Sequence, residues 1–317
     1  MTTLNIVVVG AGHLGKFHAQ KIAAMEGAAL AGVIDTDQGK AHALASQYGV
    51  EVFDNLPATR ADAAIVSATT TAHASIAIEA MRQGMHVLVE KPIASSLKEA
   101  QDMLECATAH DRILSVGHTE RFNPAVSAAL HVAQRPRYIT AERLSPFSGR
   151  SLDTDVILDL MIHDLDILAT LVKSPLKSVQ AVGVPVLTDS VDMASARLEF
   201  TDGTVAELRS GRVSLEPCRK IRIFTRERYV SIDCAAREVK AVNIEPPKQG
   251  ESMGTISGEP IHVGDWDPLE SQLSEFISSI HENRSPRVDG QAGLRALELA
   301  FAIKGAMTNP AANQSVL

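Results

Sequence analysis

Short apolar runs alternate with segments of helical periodicity over the first 120 residues. The apolar runs end at a glycine or a polar residue and lie at 4–9, 29–34, 63–67, 86–90 and 113–117. Helical patterns separate them, at 38–48, 73–84 and 96–110 among others. Strands of a parallel sheet are apolar throughout because helices cover both faces. The pattern therefore predicts an α/β fold over 1–120, built on a doubly wound parallel sheet.

The pattern changes after residue 120, where most of the apolar segments become strand-like. A strand is predicted at 137–143 and a helix from about 155 to 172. Further strands are predicted at 178–184, 191–200, 204–212, 219–225, 228–233 and 237–243, with hairpin turns at 201–203 and 226–227. A Pro- and Gly-rich loop is predicted at 244–260, and helices at 268–282 and 291–307. Residues 121–317 thus form a predicted α+β domain with a large, open, mainly antiparallel sheet.

Composition narrows the function classes. The 317 residues are 45% hydrophobic and carry a net charge of −8, without a run of five basic residues, so nucleic acid and membrane surfaces are not predicted partners. No run of about 18 apolar residues is present, and the first residues lack the basic region of a signal peptide. The three cysteines form no C-x-x-C pair, and the histidines show no metal-site spacing. We expect a cytoplasmic, metal-free enzyme or regulator.

A glycine-rich loop follows the first predicted strand. Residues 10–15 read G-A-G-H-L-G, the G-x-G-x-x-G pattern of a Rossmann dinucleotide site, with the helix N-terminus behind it. Asp35 ends the second strand, where a carboxylate accepts hydrogen bonds from the ribose hydroxyls and repels a 2′-phosphate. These features favour NAD over NADP; the alternative is a structural glycine turn that binds nothing. Besides Asp35, the predicted contacts are Gly10, Gly12, His13 and Leu14.

A second polar loop, S-A-T-T-T-A-H at 67–73, follows the third apolar run. Ligands of open parallel sheets bind beyond the carboxyl ends of the strands, which places this loop at the cofactor edge. Thr69, Thr70 and His73 are predicted to contact the cofactor. The alternative is that the threonines only cap the following helix.

The strand at 86–90 ends in Glu90-Lys91-Pro92 without a polar spacer. A lysine at the rim of a nicotinamide pocket can stabilise an alkoxide or relay a proton, and a cis proline can fix the turn. Glu90, Lys91 and also His118, which follows the last strand of the domain, are predicted near the cofactor. The alternative for Glu90 and Lys91 is a solvated charge pair.

Four polar residues interrupt the apolar helix predicted after residue 154. Asp155, Asp159 and His163 are four residues apart, and Asp166 continues the predicted polar stripe. A carboxylate beside an imidazole sets its tautomer and suits a general base. The alternatives are an exposed salt-bridged face, or Asp155 acting only in the first turn.

The start of the second domain reads G-H-T-E-R-F-N-P. Arg121 offers a planar fork for a phosphate or carboxylate, and Asn123 an amide, so both are predicted substrate contacts. An arginine that only forms an ion pair at the domain junction is the alternative.

Taken together, the glycine loop, Asp35, the Thr-rich loop and Glu90-Lys91-Pro92 resemble the Gfo/Idh/MocA oxidoreductases, and the antiparallel second domain fits as well. The resemblance covers nearly the whole chain. It implies that Lys91 lies in the active site and that Asp159 and His163 form the family's Asp-x-x-x-His pair. Lys91, Asp159 and His163 are then the expected catalytic residues, in contact with substrate.

The 117–124 stretch and the D-L-M-I-H-D-L-D helix resemble the branch of this family that oxidises nucleotide sugars. That resemblance implies oxidation of the 3-hydroxyl of UDP-N-acetylglucosamine to a ketone, which an aminotransferase can aminate for lipid A or surface polysaccharide synthesis. A dehydrogenase of a free polyol such as inositol, and a silent NAD-binding regulator, are the alternatives. A homodimer or homotetramer is expected, because an open sheet leaves one face for a partner.

Overall fold

The computed structural model describes residues 2–149, 154–245, 247 and 254–308. The chain divides into two compact units. Unit 1 contains Met1–Thr119 and Asp267–Leu294, and unit 2 contains Glu120–Trp266 and Arg295–Leu317. No helix in the described ranges is long and apolar enough to cross a bilayer.

Strands and helices follow one another closely along the chain. The strands are β1 (Leu4–Val9), β2 (Ala28–Ile34), β3 (Glu51–Val52), β4 (Ala63–Val66), β5 (His86–Glu90), β6 (Leu114–Gly117), β7 (Tyr138–Leu144), β8 (Leu176–Val184), β9 (Met193–Phe200), β10 (Val205–Gly211), β11 (Cys218–Phe224), β12 (Arg228–Asp233), β13 (Glu238–Glu245) and β14 (Thr255–Glu259). The α-helices are α1 (His13–Ala24), α2 (Gln38–Tyr48), α3 (Thr70–Arg82), α4 (Leu97–Ala109), α5 (Pro124–Val132), α6 (Ile162–Leu171), α7 (Pro268–Glu282) and α8 (Gly290–Thr308).

Unit 1 is built on a six-stranded sheet in the order β3-β2-β1-β4-β5-β6. All neighbouring strands are parallel, so their carboxyl ends share one edge. The strand order reverses between β1 and β4, which is where doubly wound sheets open a ligand crevice. The predicted Rossmann sheet is confirmed. It places the glycine loop, the Thr-rich loop and the Glu-Lys-Pro turn at one edge.

Unit 1 also contains α7, although all of 121–317 was predicted to form the second domain. Asp267 caps this helix, accepting the Glu270 N–H at 2.8 Å. Its apolar face, Leu273, Phe276 and Ile277, packs into a core with α1 and β1. Helical periodicity shows that one face of α7 is apolar, but it does not show which domain's core that face packs into. In the structure it packs into the core of unit 1.

Unit 2 is built on an eight-stranded sheet in the order β14-β13-β12-β11-β7-β10-β9-β8. Only the β7–β10 pair is parallel, and the other neighbours in the sheet are antiparallel. One face of the sheet forms a core with α5, α6 and the unit 2 part of α8. The predicted large, mainly antiparallel sheet is confirmed, including its hairpin turns at 201–203 and 226–227.

Two elements of unit 2 differ from the sequence analysis. The predicted loop 244–260 contains β14, which pairs with β13 from Thr255 to Glu259. Its side chains are mostly exposed, so backbone pairing rather than apolar burial forms the strand, and no hydrophobic alternation marked it. Residues 246 and 248–253 of that loop lie outside the described residues. Helix α5, which follows Asn123, was also not predicted.

Candidate active site

The glycine loop has the geometry that a dinucleotide requires. Gly10 has a φ of 103°, and a Cβ there would lie 2.6 Å from the carbonyl of Ser67. A Cβ on Gly12 would meet nothing within 4 Å, so the backbone is open to an approaching phosphate. Gly12 also begins α1 without a side-chain cap, which leaves N–H groups of the first turn for an anion.

Asp35 links the end of β2 to the glycine loop. Its Oδ2 accepts the Ala11 N–H at 2.6 Å, and its Oδ1 accepts the Asp37 N–H at 2.7 Å. Both bonds fix the carboxylate at the rim of the cavity that the glycine loop lines. A fixed carboxylate at this position suits ribose hydroxyl donors and disfavours a second phosphate.

A cavity of about 780 Å³ lies at the carboxyl edge of the unit 1 sheet, within the size range of ligand sites. Four predicted residues line it, namely Gly10, Gly12, Asp35 and Thr69. Residues that no sequence pattern singled out also line it, namely Ala72, Ser75, Ile76 and Glu79 on one face of α3, Gln83 directly after that helix, and Asn55 and Leu56. The spacing of the α3 residues marks a helix face, which could have been recognised once the Thr-rich loop was placed.

Other predicted cofactor residues lie outside the lining of this cavity. His13 is exposed and its ring packs edge-on against Phe17, 4.9 Å between centroids. Leu14 is exposed too, and Thr70 is the first residue of α3. His118 is fully buried. Their predicted contacts with the cofactor stay predictions.

Glu90 is buried in a pair with His18 of α1. The Nε2 of His18 lies 2.8 Å from Glu90 Oε1, and Glu90 Oε2 accepts the Lys91 N–H at 3.2 Å. Burial would raise the pKa of Glu90, but the His18 hydrogen bond and the His18 and Lys91 charges outweigh it, so the pKa is lowered. The carboxylate is therefore charged and held inside unit 1. A solvated Glu90–Lys91 pair is not what the structure shows.

His73 is also buried, and its ring joins two loops. Nδ1 lies 2.9 Å from the Pro92 carbonyl oxygen, and Nε2 lies 3.1 Å from that of Ala68. Burial lowers the pKa of His73 more than its hydrogen bonds raise it, so the ring is neutral at pH 7. The Lys91–Pro92 peptide is cis. Lys91 itself is half-buried.

In unit 2, a π-helical turn from Ile157 to Met161 precedes α6. Asp155 caps this turn, accepting the N–H groups of Ile157 and Leu158 at 3.0 Å, and pairs with Lys304. Asp159 lies within the π turn and His163 in the first turn of α6. Both side chains are half-buried. π turns within helices are rare and frequently occur at functional sites.

The predicted polar stripe does not include Asp166, which is 1% exposed. Its carboxylate pairs with the guanidinium of Arg121, with 3.2 Å between Oδ1 and Nη1, and Arg121 also contacts Thr170. Asp166 therefore faces the interior of unit 2, where Arg121 pairs with it, although helical spacing from His163 placed it on the polar stripe. Asp155 and Asp166 are structural residues in this arrangement.

Arg121 and Asn123 are both engaged inside unit 2. The Asn123 amide donates to the Cys234 carbonyl at 2.9 Å and accepts the Ala125 N–H at 3.0 Å, which caps α5. Arg121 is 7% exposed. These contacts account for both side chains structurally, and their contact with substrate stays a prediction.

NAD fits the residues of unit 1. The open backbone at Gly12, the uncapped start of α1 and the fixed Asp35 carboxylate supply what a pyrophosphate and a ribose need. Residues 4–118 match the family model described as "Oxidoreductase family, NAD-binding Rossmann fold", and 127–230 match the "GFO/IDH/MocA C-terminal domain". The chain belongs to the Gfo/Idh/MocA oxidoreductase family. The predicted enzyme class and the NAD cofactor are confirmed.

Relatives within the family differ in how similar they are to this chain. The chain is 37% identical to UDP-N-acetylglucosamine 3-dehydrogenase of Acidithiobacillus ferrooxidans, over 95% of this chain and 96% of the relative. A solved structure of that enzyme from A. ferrooxidans has a TM-score of 0.89 at 36% identity, covering 96% and 98% of the two chains. Myo-inositol 2-dehydrogenase of Thermotoga maritima is 23% identical, over 95% of each chain.

Proposed function

We propose that this enzyme oxidises the 3-hydroxyl of UDP-N-acetylglucosamine to a ketone. The observation that carries the proposal is the 37% identity to a UDP-N-acetylglucosamine 3-dehydrogenase over nearly the full length of both chains. The same relationship appears in the fold, with a TM-score of 0.89. Dehydrogenases acting on inositols are markedly less similar in sequence.

The chemistry divides between cofactor and chain. Bound NAD supplies a hydride acceptor. We assign removal of the hydroxyl proton to His163, orientation of His163 to Asp159, and stabilisation of the alkoxide oxygen to Lys91. A base works best with a pKa near the operating pH, which an imidazole offers. A lysine ammonium stabilises charge that develops on oxygen.

Each of these assignments has a local structural basis. Lys91 follows a strand end at the edge where NAD binds, in a turn held by buried neighbours. Asp159 and His163 lie in and just after a π turn whose first residues are capped by Asp155. Their side chains are half-buried, which leaves part of each accessible.

The test is the absorbance of NADH, formed from NAD and a panel of UDP-sugars and polyols. An aminotransferase and glutamate are added to remove an unfavourable ketone. Reduction of NAD with UDP-N-acetylglucosamine, and with no other compound of the panel, supports the proposal. Reduction with a polyol instead would assign the second candidate, a polyol dehydrogenase, which the inositol-oxidising relatives favour. Protection against thermal unfolding by UDP would argue against that candidate.

We also propose a cytoplasmic homo-oligomer that works before an aminotransferase. Alternate side chains of the unit 2 sheet point away from its core and are rich in charge, including Glu142, Arg197, Glu199, Glu207 and Arg209. Both signs are present, as in the Arg209–Glu142 pair, so this face can complement a second copy. Light scattering with size-exclusion chromatography tests the subunit number, and charge reversal at Arg209 should weaken the assembly.

A further inference from the structure

Two buried histidines contact the residues on either side of Lys91. His18, on α1, meets the side chain of Glu90, with 2.8 Å between Nε2 and Oε1. His73, on α3, meets the backbone of Pro92, with 2.9 Å between Nδ1 and the carbonyl oxygen. Neither ring lines the NAD cavity, so cofactor binding does not explain their positions.

Glu90 has little freedom to move. Its Oε2 accepts the Lys91 N–H at 3.2 Å, which joins the carboxylate directly to the backbone of the lysine. A Cβ on Gly117 would lie 2.8 to 2.9 Å from the carboxylate atoms, so strand β6 packs tightly against them. Any displacement of the Glu90 carboxylate therefore reaches the Lys91 backbone.

His18 is the donor that keeps this carboxylate in place. A carboxylate only accepts hydrogen bonds, so Nε2 of His18 carries a proton in the contact. His18 is fully buried and Glu90 is 5% exposed, so water does not easily replace a lost donor. A buried charge without its partner is strongly destabilised, and Glu90 would have to move or take up a proton.

His73 provides the contact on the other side of the turn. A neutral ring has one N–H, so only one of the two carbonyl oxygens that face it receives a hydrogen bond; the clamp requires this proton on Nδ1, which then donates to Pro92. Through Nε2 the same ring faces Ala68, a residue that lines the NAD cavity. The turn after β5 is thus tied to α1 on one side and to α3 on the other.

We propose that His18 and His73 are positioning residues that clamp the Glu90-Lys91-Pro92 turn and so orient the Lys91 ammonium for the reaction. This rests on the proposed function for the role of Lys91 in catalysis, but the clamp itself is a property of unit 1. Misplacement of a reacting group by about 1 Å lowers turnover on the order of 100-fold.

The test compares four variants with the wild-type holoenzyme. His18→Leu and His73→Leu each remove one side of the clamp, and His18→Gln restores an N–H donor near the position of Nε2. The matched control is His86→Leu, which removes a half-buried ring from the opposite end of β5, where Nδ1 accepts the Ile113 N–H at 3.0 Å. Kd for NAD, kcat and KM are measured for all four.

A second readout needs no sugar. The NAD-bound protein is treated with an amine-acetylating reagent, and the modification rate of Lys91 is compared with that of Lys98 by mass spectrometry. Lys98 lies on α4 and pairs with Asp102 on the surface. We expect relative Lys91 labelling to rise about threefold or more in the two clamp variants, because a loosened turn samples exposed conformations.

The clamp predicts a 10- to 100-fold loss of kcat in His18→Leu and His73→Leu, about the magnitude expected for misplacement. NAD affinity should be nearly unchanged in His18→Leu. His18→Gln recovers most of the loss, and His86→Leu labels and turns over like wild type. Should His18→Leu fail to fold, Glu90→Gln replaces it, because the amide has the size of the carboxylate beside Gly117 but only one acceptor oxygen for two donors, His18 Nε2–H and Lys91 N–H; the same increase in labelling is expected.

Wild-type labelling and turnover in the folded clamp variants would overturn the proposal. Equal effects in His86→Leu would also overturn it, because the losses would then reflect general damage to β5. If the proposed substrate is wrong, wild type itself shows no turnover, and the labelling comparison still decides the clamp.

Discussion

The two regions that carry the predicted catalytic groups are fixed in different ways. In unit 1, Lys91 follows a strand end whose neighbours are held by imidazole contacts from His18 and His73. In unit 2, His163 is followed directly by Asp164, which forms two hydrogen bonds with Arg143 at 2.8 and 3.1 Å. One region depends on single hydrogen bonds to a turn, and the other on a buried ion pair between helix and sheet.

The difference predicts different consequences of mutation. Loss of one imidazole contact should loosen a local turn and reduce turnover while the unit stays folded, because the Glu90 carboxylate keeps the Lys91 N–H and the nearby Lys91 charge. Loss of one member of a buried ion pair leaves an uncompensated charge, which destabilises the whole unit. Turnover should therefore be sensitive to the first region, and stability to the second.

Replacing the catalytic groups themselves should have the largest effect. His163→Asn is expected to lower kcat about 10²- to 10⁴-fold, the range that a positioned general base contributes, and Lys91→Met about 10²- to 10³-fold, the range for one group that stabilises an oxyanion. NAD affinity should stay near the wild-type value, as measured by fluorescence titration. Turnover at the wild-type rate in either variant would refute that residue's role.

The buried ion pair of unit 2 should show the largest stability effect. Burial raises the pKa of Asp164 even though Arg143 opposes the shift, so the carboxylate depends on its partner. Arg143→Met is expected to lower the free energy of unfolding by about 3–5 kcal/mol, measured by urea denaturation. The matched double variant, Arg143→Met with Asp164→Leu, should recover much of that loss; a double variant as unstable as the single one would contradict the account.

Asp35 should determine cofactor choice with an intermediate effect. Removing the charged acceptor in Asp35→Ser is expected to weaken NAD binding about 10- to 100-fold and to improve binding of NADP relative to NAD. Asp62→Asn is the control, because Asp62 also accepts a backbone N–H, from Asn5, but does not line the cavity. If Asp35→Ser kept the wild-type preference for NAD over NADP, Asp35 would not determine cofactor specificity.

Near neutral pH the smallest expected effect is at His86, at the start of β5, because its contribution changes only as the solution becomes acidic. Burial, followed by the charge of Arg112, lowers the pKa of His86 from 6.5 to about 4. Between these values the unfolded chain binds a proton that the folded chain does not, so stability falls as the pH drops from 6.5 to 4. His86→Asn keeps an acceptor for Ile113 and should flatten that part of the unfolding curve. An unchanged slope would contradict this assignment.

Sequence patterns predicted the parts of the fold that local chemistry determines. The apolar strands of unit 1, the glycine loop and Asp35 follow from short-range signals, and the structure brings Gly10, Gly12, Asp35 and Thr69 to one cavity. The hairpins of unit 2 follow from their turn residues.

These short-range patterns could not predict which residues pack together from distant parts of the chain. His18 is 72 residues from Glu90 along the chain, and a histidine on a predicted helix gives no sign of such a partner. Asp166 looked like part of an exposed stripe until Arg121, 45 residues away, was seen to pair with it. Which core α7 packs into likewise depends on contacts between distant residues, and no local pattern shows these contacts.

Oxidation of the sugar at C3 is tested most directly with UDP-N-acetylglucosamine that carries deuterium at C3. The enzyme is incubated with this substrate and NAD, with the aminotransferase and glutamate present, and the NADH formed is analysed by mass spectrometry. Oxidation at C3 transfers this deuterium to the cofactor, so we expect NADH that carries one deuterium. NADH without deuterium, or no NADH under conditions where a polyol is oxidised, would contradict it.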